Sequence, residues 1–146
     1  MDPDPPRGSS PARPRPGSPE SLPSIADTVL VVEDEASVRI LIMGVLQGAG
    51  FKVLGARDGE DALHLLETHP RTIHLLITDF TMPKMTGGTL IRRVAQQWPR
   101  MKVLCITGHP ADAAGLPHVA LLEKPFTLKT ILDKVHELLD APEGRR

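Results

Sequence analysis

Thr28-Val29-Leu30-Val31-Val32-Glu33-Asp34-Glu35 decides how this chain is read. An uninterrupted β-branched and apolar run is what a strand buried on both faces of a parallel sheet requires. The three acids that end it mark the place where the strand leaves the core. Outward from this stretch the same unit recurs. Residues 37–47 have helical spacing, with Val38, Leu41, Ile42, Val45 and Leu46 on one side, and Gly48 and Gly50 end the segment. Residues 51–56 read as a second strand, Asp58-Gly59 as a turn, and residues 60–67 as a helix closed by Pro70. Residues 73–78 form a third apolar strand ending at Asp79. Pro83 and Gly87-Gly88 mark a loop, and residues 89–97 a helix stopped before Pro99. Residues 102–106 make a strand ending at Thr107, and residues 119–122 one ending at Glu123-Lys124-Pro125. Thr127 is placed to cap a last helix running through Leu139. Strands alternating with helices predict an α/β fold, a five-stranded parallel sheet with helices on both faces.

Composition bounds the alternatives. The chain has 146 residues and a formal net charge of -1, which argues against a basic nucleic-acid-binding face. One cysteine, Cys105, forbids an internal disulfide and a cysteine-rich metal site. No apolar run approaches the ~20 residues that span a bilayer, and no secretory signal is recognisable, so the expectation is a cytoplasmic protein without membrane contact. Eight of the 15 prolines lie before residue 27. Residues 1–26 are therefore expected to be a disordered Pro-rich tail, in which Arg13-Pro14-Arg15-Pro16 favours polyproline II. Residues 27–141 form the folded domain and 142–146 a short C-terminal tail.

The chemistry sits at the strand ends. Strand one stops at Glu33-Asp34, strand three at Asp79, strand four at Thr107 and strand five at Lys124. Open α/β sheets bind ligands outside the carboxyl ends of their strands. One pocket would then hold three carboxylates, a hydroxyl and an ammonium. Clustered carboxylates raise one another's pKa unless a cation relieves them, and an all-oxygen set suits Mg²⁺. A lysine and a hydroxyl facing the same point can hold a phosphoryl group, and a carboxylate beside Mg²⁺ can attack phosphorus. The set describes phosphoryl transfer onto an aspartate.

From Thr28 to about Asp140 the chain resembles a response-regulator receiver domain of two-component signalling. The resemblance rests on Val31-Val32-Glu33-Asp34-Glu35, Asp79-Phe80-Thr81-Met82-Pro83-Lys84-Met85-Thr86-Gly87, Ile106-Thr107-Gly108 and Glu123-Lys124-Pro125-Phe126-Thr127, in order at successive strand ends. The wording is most similar to receivers of hybrid sensor kinases. The resemblance implies a flavodoxin-like sheet of order 2-1-3-4-5 and a cis Lys124-Pro125 bond. It implies Asp79 as phosphoacceptor, with Mg²⁺ held by Asp34, by Glu33 through water, by Asp79 and by the backbone carbonyl of Thr81. Thr107 and Lys124 would hold the phosphoryl group, and Thr81 and His109 would set its lifetime. The donor would be a histidine kinase or histidine-phosphotransfer protein, and the receiver would act through an unidentified downstream protein.

Two departures from the family stand out. An aromatic switch residue is common three positions before the lysine, where this chain has Leu121, which puts a coupled switch with Thr107 in doubt. The fourth helix has only residues 108–118 to form in, with Pro110, Gly115 and Pro117, and is expected to be shortened or irregular. If Val38, Leu41 and Val45 face the sheet, Ile40 and Met43 face outward as a partner surface. Since the sequence ends shortly after the last helix, the expectation is a receiver without an output domain of its own. Two rivals follow from the same residues. One is a receiver-like interaction module that works without phosphorylation. The other is an aspartate-based phosphatase of the haloacid dehalogenase type, which would need an acid where Thr81 stands.

Overall fold

In the computed structural model, residues 27–82, 84–113, 115–116 and 119–140 are described here. The expected tails at 1–26 and 142–146 lie outside them. Five parallel strands, β1 (Thr28–Val32), β2 (Lys52–Ala56), β3 (Ile73–Asp79), β4 (Lys102–Thr107) and β5 (Val119–Glu123), form one sheet of order β2-β1-β3-β4-β5. Helices α1 (Ala36–Gly48), α2 (Gly59–Thr68), α3 (Gly87–Gln97) and α4 (Leu128–Leu139) connect or follow them.

The period-two alternation of the strands explains the two core layers. Leu30 and Val32 of β1 and Leu76 of β3 point to one face, where Ala62 and Leu66 of α2 and Leu90, Ile91 and Val94 of α3 cover them. Val29, Val31, Leu75 and Ile77 point to the other, against Ile42 and Leu46 of α1 and Ile131, Val135 and Leu139 of α4. β1 is buried at every position, as its composition demands. Among the described residues between β4 and β5 the regular structure is a 3₁₀ turn, Pro110–Ala113, in keeping with the expected shortening of the fourth helix.

The element ends follow from local hydrogen bonds. Asp58 caps α2 by accepting from the Asp61 N–H, and Thr127 caps α4 by accepting from the Thr130 N–H. Gly87 and Gly88 do not form a loop. They open α3, because Thr86 caps it through the Thr89 N–H. Their lack of side chains serves close packing on Phe80, not a turn.

The face of α1 also differs from expectation. Its buried centre is Ile42 and Leu46, and Leu41 is 57% exposed. Met43, expected outside, is half-buried in the core. Five of the seven residues from Val38 to Gly44 are large and apolar, a pattern that fits more than one helix rotation, and β2 decides it. Gly55 leaves the space that the Met43 thioether fills: a Cβ there would lie 2.7 Å from Met43 Sδ.

Candidate functional site

The carboxyl ends of β1 and β3 lie side by side because Val32 pairs with Thr78. That register carries the acids following β1 towards Asp79. Glu33, Asp34 and Asp79 each present a carboxylate oxygen, and these oxygens lie within 4.8 Å of one another. Asp79 is buried, Glu33 half-buried and Asp34 exposed. Several hydrogen bonds hold the acidic loop, among them one from the Glu33 N–H to the Ala56 carbonyl at 3.0 Å. Arg39 Nη1 donates to the Glu33 carbonyl at 2.7 Å, and the Glu35 N–H donates to Glu33 Oε2 at 3.1 Å. Arg39 escaped the sequence reading. Its signal was a cation one and a half helical turns past the acids, between Val38 and Ile40.

β5 brings the ammonium. Lys124 N–H donates to the Thr107 carbonyl at 2.9 Å, extending the β4–β5 pairing by one step past Glu123. The Lys124-Pro125 peptide is cis. Lys124 Nζ lies 2.9 Å from Asp79 Oδ1. The contact is an ion pair and not a directed hydrogen bond, so this buried oxygen has no hydrogen-bond partner. Burial lowers the Lys124 pKa, but contact with Asp79 and the charges of Asp79, Glu33 and Asp34 outweigh it and hold the ammonium above its ordinary value.

Thr107 is buried at the end of β4, on the same rim. Its hydroxyl accepts the His109 N–H at 3.0 Å and reaches the His109 carbonyl at 3.2 Å. His109 is thus tied to the site through its backbone, with the residue itself exposed. Thr81 is exposed in the loop after β3. Leu121 is half-buried within β5, packed on the α2–α3 face of the core. Ile40 is 64% exposed on α1, beside Leu41 and not beside Met43. Cys105, one residue from the rim, is fully buried, and its thiol is pushed up to about 11, by burial first and then by the Asp79 charge. It stays protonated and takes no part in the site's chemistry.

The residues fit a hard divalent cation. The donors are all oxygens, the three carboxylates repel one another, and a buried Asp79 oxygen lacks a hydrogen bond. Glu33 records the strain. Its pKa is raised by burial first, against the Glu35 N–H that lowers it, and further by Asp79 and Asp34. An acid raised in the fold contributes stability that is present below its unfolded value and lost as pH climbs through the folded one. In Mg²⁺-free buffer, Glu33→Gln is therefore expected to melt above the unsubstituted protein at neutral pH. The gap should close towards pH 4.5, the ordinary Glu33 value. Saturating Mg²⁺ should reverse the order. A melting series that puts the unsubstituted protein higher at neutral pH without Mg²⁺ would contradict this.

With that geometry in place, the chain's relatives can be set beside it. The response regulator receiver domain family matches residues 29–136. The chain belongs to this family, whose members are the receiver domains of two-component signalling. It is 36% identical over 118 residues to sensor kinase CckA of Brucella abortus (strain 2308), spanning 77% of this chain but 12% of that kinase. It is 31% identical over 118 residues to the response regulator receiver protein CpdR of the same organism, spanning 77% of this chain and 97% of that protein. The crystal structure of the receiver domain from hybrid histidine kinase CckA superposes with a TM-score of 0.68 at 36% identity, covering 77% of this chain and 98% of that one. Receivers of this family bind Mg²⁺ at an acidic pocket and interact with histidine kinases or phosphotransfer proteins and downstream effectors. Among the described residues, no helix is long and apolar enough to cross a membrane.

Proposed function

We propose that this chain is a phosphoacceptor receiver in a two-component phosphorelay, taking a phosphoryl group onto Asp79. The observation that carries the reading is the buried Asp79 carboxylate beside both a full ammonium and two further carboxylates. Such a carboxylate needs a cation to be stable and is oriented to react when one is bound. An Asp79 oxygen forms the bond to phosphorus as the P–N bond to the donor's histidine breaks. The imidazole leaves with the bonding pair and takes a proton from solvent. Lys124 stays with the phosphoryl oxygens, and the Thr107 hydroxyl exchanges its His109 contacts for one of them. Glu33, Asp34, Asp79 and the Thr81 carbonyl would hold Mg²⁺, which neutralises charge developing on the transferred group. The product carries about two negative charges on the phosphoryl group where the carboxylate carried one, and it signals by changing which partner binds.

The exposed pair Ile40 and Leu41, beside the acidic loop, is the surface offered to the donor. Thr81 and His109 border the phosphoryl position and set how readily water reaches it. His109→Ala should change the lifetime of the aspartyl phosphate severalfold, and an unchanged decay rate would remove His109 from that role. The chain is a signalling module that promotes its own phosphorylation and slow dephosphorylation, not a conventional enzyme.

The reading is tested by adding acetyl phosphate with and without Mg²⁺ and weighing the intact chain. A gain of one phosphoryl group that needs Mg²⁺ supports it. Leu121 and the 3₁₀ turn in place of a helix favour one rival, an interaction module that works without phosphorylation. That rival predicts no mass gain from acetyl phosphate or from a phosphorylated histidine donor, and no Mg²⁺-dependent binding of beryllofluoride.

A further inference from the structure

At the opposite edge of the sheet from Asp79, where the strands begin, the fold makes a cavity of about 730 Å³. Its apolar lining includes Ile73 and Leu139, Trp98 stands in its wall, and Arg71, Arg100 and Lys102 surround it. The two arginines sit in matching turns. In His69-Pro70-Arg71-Thr72 the Thr72 N–H donates to the His69 carbonyl at 3.3 Å. In Trp98-Pro99-Arg100-Met101 the Met101 N–H donates to the Trp98 carbonyl at 2.9 Å. Each is a four-residue turn closed by its own hydrogen bond, with proline second and arginine third. Proline in that position fixes the backbone before the arginine, so both guanidiniums are carried by stiff supports.

The ends of α2, α3 and α4 bring partial negative charge to this edge, and Asp27 adds a full one near His74, whose Nδ1 lies 3.8 Å away. The cavity therefore offers directed donors more than a large net field. No carboxylate pairs with Arg71, Arg100 or Lys102 among the described residues. Two planar guanidinium forks match phosphate oxygens in pairs, and an indole face takes a flat ring. The volume falls within the usual range of small-molecule sites, roughly 300–1,000 Å³. None of these groups serves the acidic site at the other edge.

We propose that this cavity binds a nucleoside phosphate, its base against Trp98 and its phosphates on Arg71, Arg100 and Lys102. Trp98 is the chain's one tryptophan and there is no tyrosine, so intrinsic emission reports this cavity alone. The test is titration of the full chain with ADP in Mg²⁺-free buffer, following Trp98 fluorescence. Expected is a saturable change that the double variant Arg71→Ala/Arg100→Ala weakens by about tenfold or more. Both arginines are exposed, so the variant should fold, as a melting curve would confirm. Adenosine and inorganic phosphate, tried separately, should each bind much more weakly than ADP. No saturable change, or one undiminished in the double variant, would overturn the site. Phosphate binding as tightly as ADP would overturn the nucleoside assignment. Phosphorylation of Asp79 is measured independently, so failure here is distinct from failure of the receiver reading.

Discussion

Replacing Asp79 by Asn should reduce phosphorylation by acetyl phosphate to below detection, with the fold intact. The amide keeps the shape of the side chain but is not a nucleophile towards phosphorus. The loss should not come from unfolding, because two effects on stability oppose each other. Asparagine removes a negative charge from a cluster of three carboxylates, which relieves repulsion. It also strips Lys124 of the partner 2.9 Å away. That ammonium is 43% exposed and can be hydrated, so the net change should stay within about 1 kcal/mol. Mg²⁺ affinity should fall about tenfold or more, since one of the three anionic oxygen ligands is lost. Circular dichroism, calorimetric Mg²⁺ titration and intact mass separate the three effects. An Asp79→Asn chain that still gains one phosphoryl group would place the acceptor elsewhere.

Gly87→Ala should be the most damaging single methyl group near the site. An added Cβ would collide with the Asp79 carbonyl oxygen and lie 2.8 Å from Phe80 Cα, and both are backbone. Neither can turn aside as a flexible side chain would. The Gly87 N–H also donates to the Phe80 carbonyl at 2.7 Å, so the start of α3 is clamped to the strand end that carries Asp79. Relieving the clash means moving that clamp, at about 1–3 kcal/mol. The contrast is Gly44→Ala in α1, where a Cβ meets nothing within 4 Å. There alanine should stabilise by roughly 0.4–1 kcal/mol, because it restricts the unfolded chain and suits a helix. Urea denaturation of the two variants reads the opposite signs directly. Gly87→Ala should also slow phosphorylation, since Asp79 is displaced. Equal stability of Gly87→Ala and the unsubstituted chain would show that the α3 start is not tightly seated.

The central part of this fold was readable because four of the five strands stop where the chemistry starts. Val31-Val32 followed by Glu33-Asp34, or Ile77-Thr78 by Asp79, leaves no choice of where the core ends. The parallel register then brings those ends together without any signal from the residues between. The sheet order came from the resemblance to the receiver family, since apolar strands of similar length carry no address of their own.

What local sequence concealed was set by tertiary contacts. Gly87-Gly88 has the composition of a loop, and becomes a helix start only because Thr86 caps it and Phe80 packs against it. The rotation of α1 was ambiguous across Ile40-Leu41-Ile42-Met43, and the gap at Gly55 resolved it. Lys84 adopts φ 66°, a left-handed turn unusual for lysine, with its ammonium 3.7 Å from buried Asp58. No sequence rule places a lysine there. The tie between Thr107 and the His109 backbone was likewise invisible, because it depends on how the chain bends after β4.

The account stands on an acyl phosphate at one residue. The most direct measurement treats the unsubstituted chain with acetyl phosphate and Mg²⁺, then weighs it before and after neutral hydroxylamine, with the phosphorylated peptide located by tandem mass spectrometry. The account predicts one added phosphoryl group, absent without Mg²⁺, removed by hydroxylamine and located at Asp79. A hydroxylamine-stable phosphate on a serine or threonine, or an unchanged mass with every donor tried, would contradict it.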